Sequence, residues 1–358
     1  MNGRVNRREW LLGGASAGLL ASSSPASGSI PIRLSLNENA YGPSPSVAPA
    51  IAGELGHIHR YVDPEEADTL KRQIAALEAV RPDQVLLGEV LEPLGLHLGA
   101  RSPGGDVVYS SPGYTALPDA GAPYGLKGKP VPLNDRLEND LPALARAIGA
   151  RTVALSLVNP HNPSGTVSDP AAFDALITDA ARKTLVIVDE AYLEYDPGFA
   201  ERTAARHVRA GRNVLLFRTL AKIYGLAGLS IGYAIGPADL TARLAATGIG
   251  EPHTLNRLSL VAARAALRDQ DHVALVRSRT AEQRERLHAV LDRRRLRRTD
   301  SHADFIFFQP RNTQALRDTF ERAGIEIARP FPPLDGWIRI TVGTAPETDR
   351  VIEILERA

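Results

Sequence analysis

The sequence contains no cysteine and a single methionine. A chain without a thiol has no disulfide, no thiolate metal site and no cysteine nucleophile, and an oxidising compartment is harmless to it. It also lacks an excess of charge. With 42 basic and 41 acidic residues the net charge is +1, which gives no electrostatic reason to expect nucleic acid or an acidic surface as partner. Lysine is nearly missing too: Lys71, Lys127, Lys129, Lys183 and Lys222 stand against thirty-seven arginines. Wherever a plain positive charge serves, this chain uses arginine, so Lys222, on the glycine-rich stretch "TLAKIYGLAGLSIGY", raises a question. Arginine does not lose its proton in a protein, whereas a deprotonated ε-amine attacks a carbonyl and holds it as a Schiff base. The plainer reading of Lys222 is a surface lysine beside a loop.

The 358 residues suffice for about two domains with a sizeable core. The composition, 44% hydrophobic and 23% charged, is that of a globular protein. One segment is set apart. In "MNGRVNRREWLLGGASAGLLASSSPASGS", Arg7 and Arg8 precede a short run of small and apolar residues from Leu11 to Ala21. The run is too short to span a bilayer and leads into Ser, Pro and Ala, which predicts a cleaved signal over residues 1–30 and no stable membrane anchor. The arginine pair resembles the signal of the twin-arginine pathway, which exports folded proteins, so a periplasmic or otherwise exported location is expected.

From residue 34 onward short apolar runs alternate with amphipathic stretches: "QVLLG", "DVVYSS", "TVALSLVNP", "TLVIVDEAY" and "NVLLFRT". This is the rhythm of an α/β protein with a mostly parallel, helix-covered sheet. Helix patterns run from Pro64 to Val80 and from Asp169 to Ala181, each opening with Pro or Asp. After Gly250 the character changes: one long helical region from Leu255 to Arg294 leads to "ADFIFFQP", a further helix and "WIRITVG". The expected organisation is a signal (1–30), an N-terminal arm (31–45), a large domain (46–250) and a smaller α+β domain (251–358). The basic run "DRRRLRR" at 292–298 reads as a solvated helix end rather than a binding patch.

In open α/β sheets ligands sit at the carboxyl ends of strands, so the residues where each apolar run stops carry the information. "LSLVNPHNPSGT" stops at two Asn-Pro pairs, with Asn159, Asn162 and Gly165 on the turn. "LVIVDEAYLEY" stops at Asp189, with Tyr192 three residues later, and "LLFRTLAK" stops at Thr219 and Lys222. Taken singly these are ordinary turn and cap signals.

Together with "LSLNENAYGPSP", "HRYVDP" and "WIRITVGT", and in this order, the arrangement resembles the fold-type I pyridoxal 5'-phosphate (PLP) enzymes. Within them it is most similar to the class I/II aminotransferases and their histidinol-phosphate aminotransferase branch, over about residues 34 to 358. The resemblance implies a seven-stranded central sheet, PLP as cofactor, an amino donor and a 2-oxo acid acceptor as substrates, and a homodimer. Lys222 is then the Schiff-base lysine and proton carrier. Asp189 pairs with the pyridine nitrogen, Asn162 and Tyr192 bond the ring oxygen, and Tyr114 stacks on the ring. Arg339 grips the substrate carboxylate, with Asn39 and Tyr41 beside it. Tyr61 reaches the phosphate from the neighbouring subunit.

The departures from the family pattern all fall at the phosphate. The residue eight after the lysine is normally arginine and here is Ser230; the residue before the lysine is often serine and here is Ala221. The usual Gly-Asn-Gly-Ser loop, whose amides meet the phosphate at a helix start, reads "LLGEVLEPLG"; it keeps Gly88 but carries Glu89 and Glu92, which repel a phosphate. A lost arginine contact costs on the order of 1.5–3 kcal/mol. Thr219 and Arg218 are the expected replacements. Transamination is the family default, while decarboxylation, racemisation, elimination and oxidation occur on the same fold, and a cofactor-poor ligand-binding relative is the reading of a different class.

Overall fold

The computed structural model describes residues 31–357, so the expected export signal lies outside the described residues. Strands are numbered in chain order: β1 Ile32–Leu34, β2 Val85–Leu87, β3 Asp106–Ser111, β4 Lys127–Pro132, β5 Thr152–Val158, β6 Leu185–Asp189, β7 Val214–Thr219, β8 Gly232–Ile235, β9 Arg297–Arg298, β10 Phe305–Gln309, β11 Ile325–Ile327 and β12 Ile338–Thr341.

β2 to β8 form one seven-stranded sheet in the order β2-β8-β7-β6-β5-β3-β4. β8 runs antiparallel to both of its neighbours, and every other pair is parallel. Each apolar run became a strand because its side chains are wanted on both faces. On β6, Val186 and Val188 enter one core and Ile187 the other; on β7, Leu216 joins the first and Leu215 and Phe217 the second. The first face is covered by the helices Pro64–Glu78, Pro170–Ala180 and Arg257–Arg268, the second by Leu91–Arg101 and Ala238–Ala245. Burying one such Val, Leu or Ile stabilises the fold by about 1.5–3 kcal/mol, so the alternation fixes strand register firmly.

The helix starts follow their caps. Asp63 forms a capping box with Glu66, Asp169 accepts from the Ala172 amide, and both helices have proline in the first turn. The long helical region expected from Leu255 to Arg294 is two helices, Arg257–Arg268 and Gln270–Arg293. The break is at Asp269, whose carboxylate accepts from the His272 amide and so caps the second helix instead of continuing the first. The basic run 292–298 is a helix end and short strand, with Arg298 paired to Asp292.

β12, β10 and β9 make a separate antiparallel sheet, and β1 pairs in parallel with β11. These share a core of Leu34, Leu287, Ile306, Phe308, Ile338 and Ile340. The N-terminal arm is thereby stitched to the C-terminal sheet before it crosses to the large one. The crossing needs Gly225: its φ is +70°, and a Cβ there would lie 2.6 Å from the backbone of Gly42 on the arm.

Candidate active site

β5, β6 and β7 lie side by side and end together, which brings Asn162, Asp189, Thr219 and Lys222 to one edge of the sheet although they are far apart in sequence. They line a cavity of about 210 Å³ with Glu89, Tyr114 and Tyr192. The Lys222 ammonium donates to the Leu36 carbonyl at 3.1 Å and lies 5.7 Å from the centre of the Tyr192 ring. Asp189 is buried and accepts one hydrogen bond, from the Ala191 amide at 2.9 Å. Burial pushes its carboxyl up to about 7, with the Glu89 charge adding to the rise and Lys222 opposing it. Asp189 is thus an acid with no cation bonded to it.

A hydrogen-bonded chain runs beside the cavity. The Tyr192 hydroxyl accepts from the Asn37 and Asn162 amides at 3.1 and 3.4 Å, Arg339 donates to the Asn162 oxygen at 2.6 Å, and Arg339 also donates to the Ser35 carbonyl at 2.9 Å. The guanidinium lies between the rings of Phe305 and Phe331, at 5.2 and 5.0 Å. Among the described residues no carboxylate forms an ion pair with it and its buried Nε has no hydrogen-bond partner, and burial pulls its pKa down. A desolvated guanidinium with an unused N–H suits an incoming carboxylate.

Other expected residues lie at different distances from this centre. The side chain of Asn39 is spent on backbone, donating to the Gly42 and Ile223 carbonyls and accepting from the Tyr41 amide. It clamps the arm to the Lys222 turn. Tyr41 is half-buried with Arg279 against its ring, 5.6 Å from the centre. Gly88 (φ +109°) and Ser230 (φ +45°) line an adjoining cleft of about 630 Å³, which shares Glu89 with the first cavity. Tyr61 is 78% exposed and packs edge-on to His253, outside both cavities of its own chain.

Arg218 corrects the sequence reading. It was expected near the phosphate, but successive strand residues face opposite ways, and with Phe217 and Thr219 toward the cavity Arg218 points to the other face of the sheet. There it is buried among Glu78, Glu190 and Glu194 at 3.2, 3.0 and 3.7 Å and donates to Thr203. Tyr233 and Tyr224 donate to Glu78 and Glu194 in the same cluster. Sequence reading also missed Asn37, whose φ of +56° places it among the residue types that tolerate the left-handed region, and whose amide and side chain both meet Thr341.

With this geometry in place, comparison with known proteins is decisive. The model of the family "Aminotransferase class I and II" matches residues 29–355. The chain belongs to that family. The aminotransferase is 33% identical over 322 residues to a histidinol-phosphate aminotransferase of Limosilactobacillus fermentum, covering 88% of each chain. It is 32% identical over 336 residues to an aromatic amino acid aminotransferase of Corynebacterium jeikeium, covering 91% of this chain and 88% of the relative. Its structure superposes with a TM-score of 0.81, at 29% identity and with 92% and 91% of the chains covered, on the histidinol-phosphate aminotransferase of Sinorhizobium meliloti in complex with pyridoxal-5'-phosphate. The aminotransferase is a PLP-dependent enzyme of the histidinol-phosphate aminotransferase-like branch, with the fold-type I architecture. The residues fit the ring of that cofactor: a buried acid without a bonded cation for the pyridinium, two amide-and-phenol donors for the ring oxygen, an aromatic wall and a lysine. At the phosphate end the fit is different, because Thr219 already donates to Glu89 at 3.2 Å.

Proposed function

We propose that this aminotransferase moves an amino group between an amino acid and a 2-oxo acid, with Lys222 as the attachment point of the cofactor and Arg339 as the anchor of the substrate carboxylate. Bound PLP supplies the aldehyde that exchanges with the substrate amine and the ring that accepts the electron pair left at Cα. Asp189, with no bonded cation and a carboxyl raised by burial, gains a partner when it faces a protonated ring nitrogen. Asn162 and Tyr192 hold the ring oxygen, and the Asn162–Arg339 bond ties that grip to the substrate's. Lys222, which would hold the cofactor, would also be the amine placed to take up and return the substrate Cα proton. The observation that carries this reading is that Lys222 and Asp189 line one cavity while Arg339, with a buried Nε that has no hydrogen-bond partner, is bonded to the cavity wall at Asn162.

The same reading takes the protein to act as a homodimer, which gives the exposed Tyr61 a partner's site to enter, and to be exported through Arg7 and Arg8. Among the described residues no helix is long and apolar enough to cross a membrane. Borohydride reduction of the loaded protein followed by peptide mapping tests the attachment. The cofactor is expected on the peptide containing Lys222; its appearance on Lys71, Lys127, Lys129 or Lys183, or on no lysine, refutes the assignment.

A further inference from the structure

The pyridoxal ring carries its reactive carbon between two different flanks, a hydroxyl on one side and the phosphate-bearing arm on the other, with the ring nitrogen opposite. The sheet order decides which flank lies where. Asp189 ends the middle strand β6, Asn162 follows its neighbour β5, and Thr219 ends β7 on the other side, with Gly88 and Glu89 beyond it after β2. If the hydroxyl meets Asn162 and Tyr192, the phosphate meets Thr219 and Glu89.

Among the described residues that flank holds an acid and no arginine. Glu89 accepts from the Thr219 hydroxyl, and Thr219 in turn accepts from the Ala221 amide, so the hydroxyl's only proton is committed to the carboxylate. Arg218 faces away, and of the residues lining the two cavities Lys222 alone is a cation. An ionised Glu89 beside a phosphate dianion sets like charges against each other.

We infer that Glu89 binds the cofactor phosphate as a neutral carboxylic acid, so that cofactor binding takes up one proton at this side chain. The proton comes from solvent, the carboxyl O–H donates to a phosphate oxygen, and no covalent bond changes. Thr219 is then freed to donate to the phosphate as well. The charges facing Glu89 come from several elements: Lys222 after β7, Asp189 at the end of β6, Tyr114 after β3 and Glu92 on its own helix start. Glu89 keeps solvent contact through the adjoining cleft, yet the walls around its carboxyl already hold it above the ordinary range, with Thr219 and Lys222 opposing and Glu92 assisting. A phosphate dianion pushes the same way. This role rests on the proposed function, since it requires PLP to sit at Lys222.

The test is the dissociation constant of pyridoxamine phosphate, which cannot link to Lys222, for the full chain freed of cofactor and for Glu89→Gln, from about pH 6 to about pH 9. The titrations of Asp189 and of the phosphate are common to both proteins, so the ratio of wild-type to variant constants isolates Glu89. The ratio is expected to grow by about tenfold per pH unit once the free Glu89 carboxyl ionises, with the variant the tighter binder at high pH. Pyridoxamine, which has no phosphate, should show a flat ratio. A ratio flat for pyridoxamine phosphate, or growing equally for both ligands, overturns the inference. Should Glu89→Gln not fold, calorimetry of wild type near pH 8 in two buffers of different ionisation enthalpy reads the protons taken up, and the uptake per pyridoxamine phosphate should exceed that per pyridoxamine by about one. Equal uptake for both overturns it again. Loss of binding to either ligand together with an unlabelled Lys222 instead sinks the proposed function, which keeps the two failures apart.

Discussion

Replacing Asp189 by Asn isolates what this buried acid costs the empty protein. Its carboxyl lies at about 7 in the folded chain against an ordinary 3.8. Below about pH 4 both the folded and the unfolded chain hold the proton. Between about pH 4 and pH 7 the unfolded chain gives it up while the folded chain keeps it, so unfolding gains ground as pH rises, and the penalty levels off above about 7. At about 1.36 kcal/mol per pH unit, the gap between 3.8 and about 7 amounts to about 4 kcal/mol. Asn keeps the oxygen that accepts from Ala191 and cannot ionise, so it carries no such penalty. Urea unfolding of the cofactor-free proteins is the assay. Asp189→Asn should gain on wild type by about 4 kcal/mol between pH 4 and pH 8, and saturating PLP should close most of the gap by giving the wild-type carboxylate a cation. A difference that stays constant across pH refutes the argument, whatever its size, because only a titrating group produces the slope.

Arg339→Lys keeps a charge but loses the fork that meets a carboxylate, so the binding of amino acids should weaken about ten- to hundredfold while the absorbance of bound cofactor is unchanged; equal turnover of amines lacking a carboxylate would assign Arg339 to structure alone. Arg218→Met leaves three buried glutamates without their cation and should cost about 3–5 kcal/mol in urea unfolding. A variant of full stability that binds PLP weakly would restore Arg218 to the phosphate and overturn its placement. Changing Arg7 and Arg8 to Lys should leave the precursor in the cytoplasm on fractionation, and undiminished export would dismiss the twin-arginine reading.

The strands that build the site were legible because their apolar runs are buried on both faces and end in residues that apolar packing does not explain. Asp189, Thr219 and Asn162 were found in that way. β4 was not, since "KGKPVP" is an exposed edge strand in which two prolines remove backbone donors that an interior strand needs. Arg218 was assigned to the wrong face although the information was present: a period of two puts it opposite Phe217 and Thr219. Glu89 was read as a repulsive neighbour of the phosphate, and its bond to Thr219 stayed hidden because it joins residues 130 apart in sequence. The role of Asn39 as a clamp on Gly42 and Ile223 is likewise a long-range fact, invisible to local pattern.

The 3.1 Å bond from Lys222 to the Leu36 carbonyl gives the arm a stake in the chemistry. Residues 35 to 37 are fastened at three points: Ser35 to Arg339, Leu36 to Lys222, and Asn37 to Tyr192 and Thr341. Under the proposed function each of the three fastenings uses a side chain that substrate or cofactor also claims: Arg339, Lys222 and Tyr192. An amine committed to another atom has fewer protons to give, so the Leu36 carbonyl must then turn to water. With the proposed attachment at Lys222, loading the protein with cofactor should loosen this end of the arm, and faster amide hydrogen exchange along residues 35 to 39 is the expected sign of it.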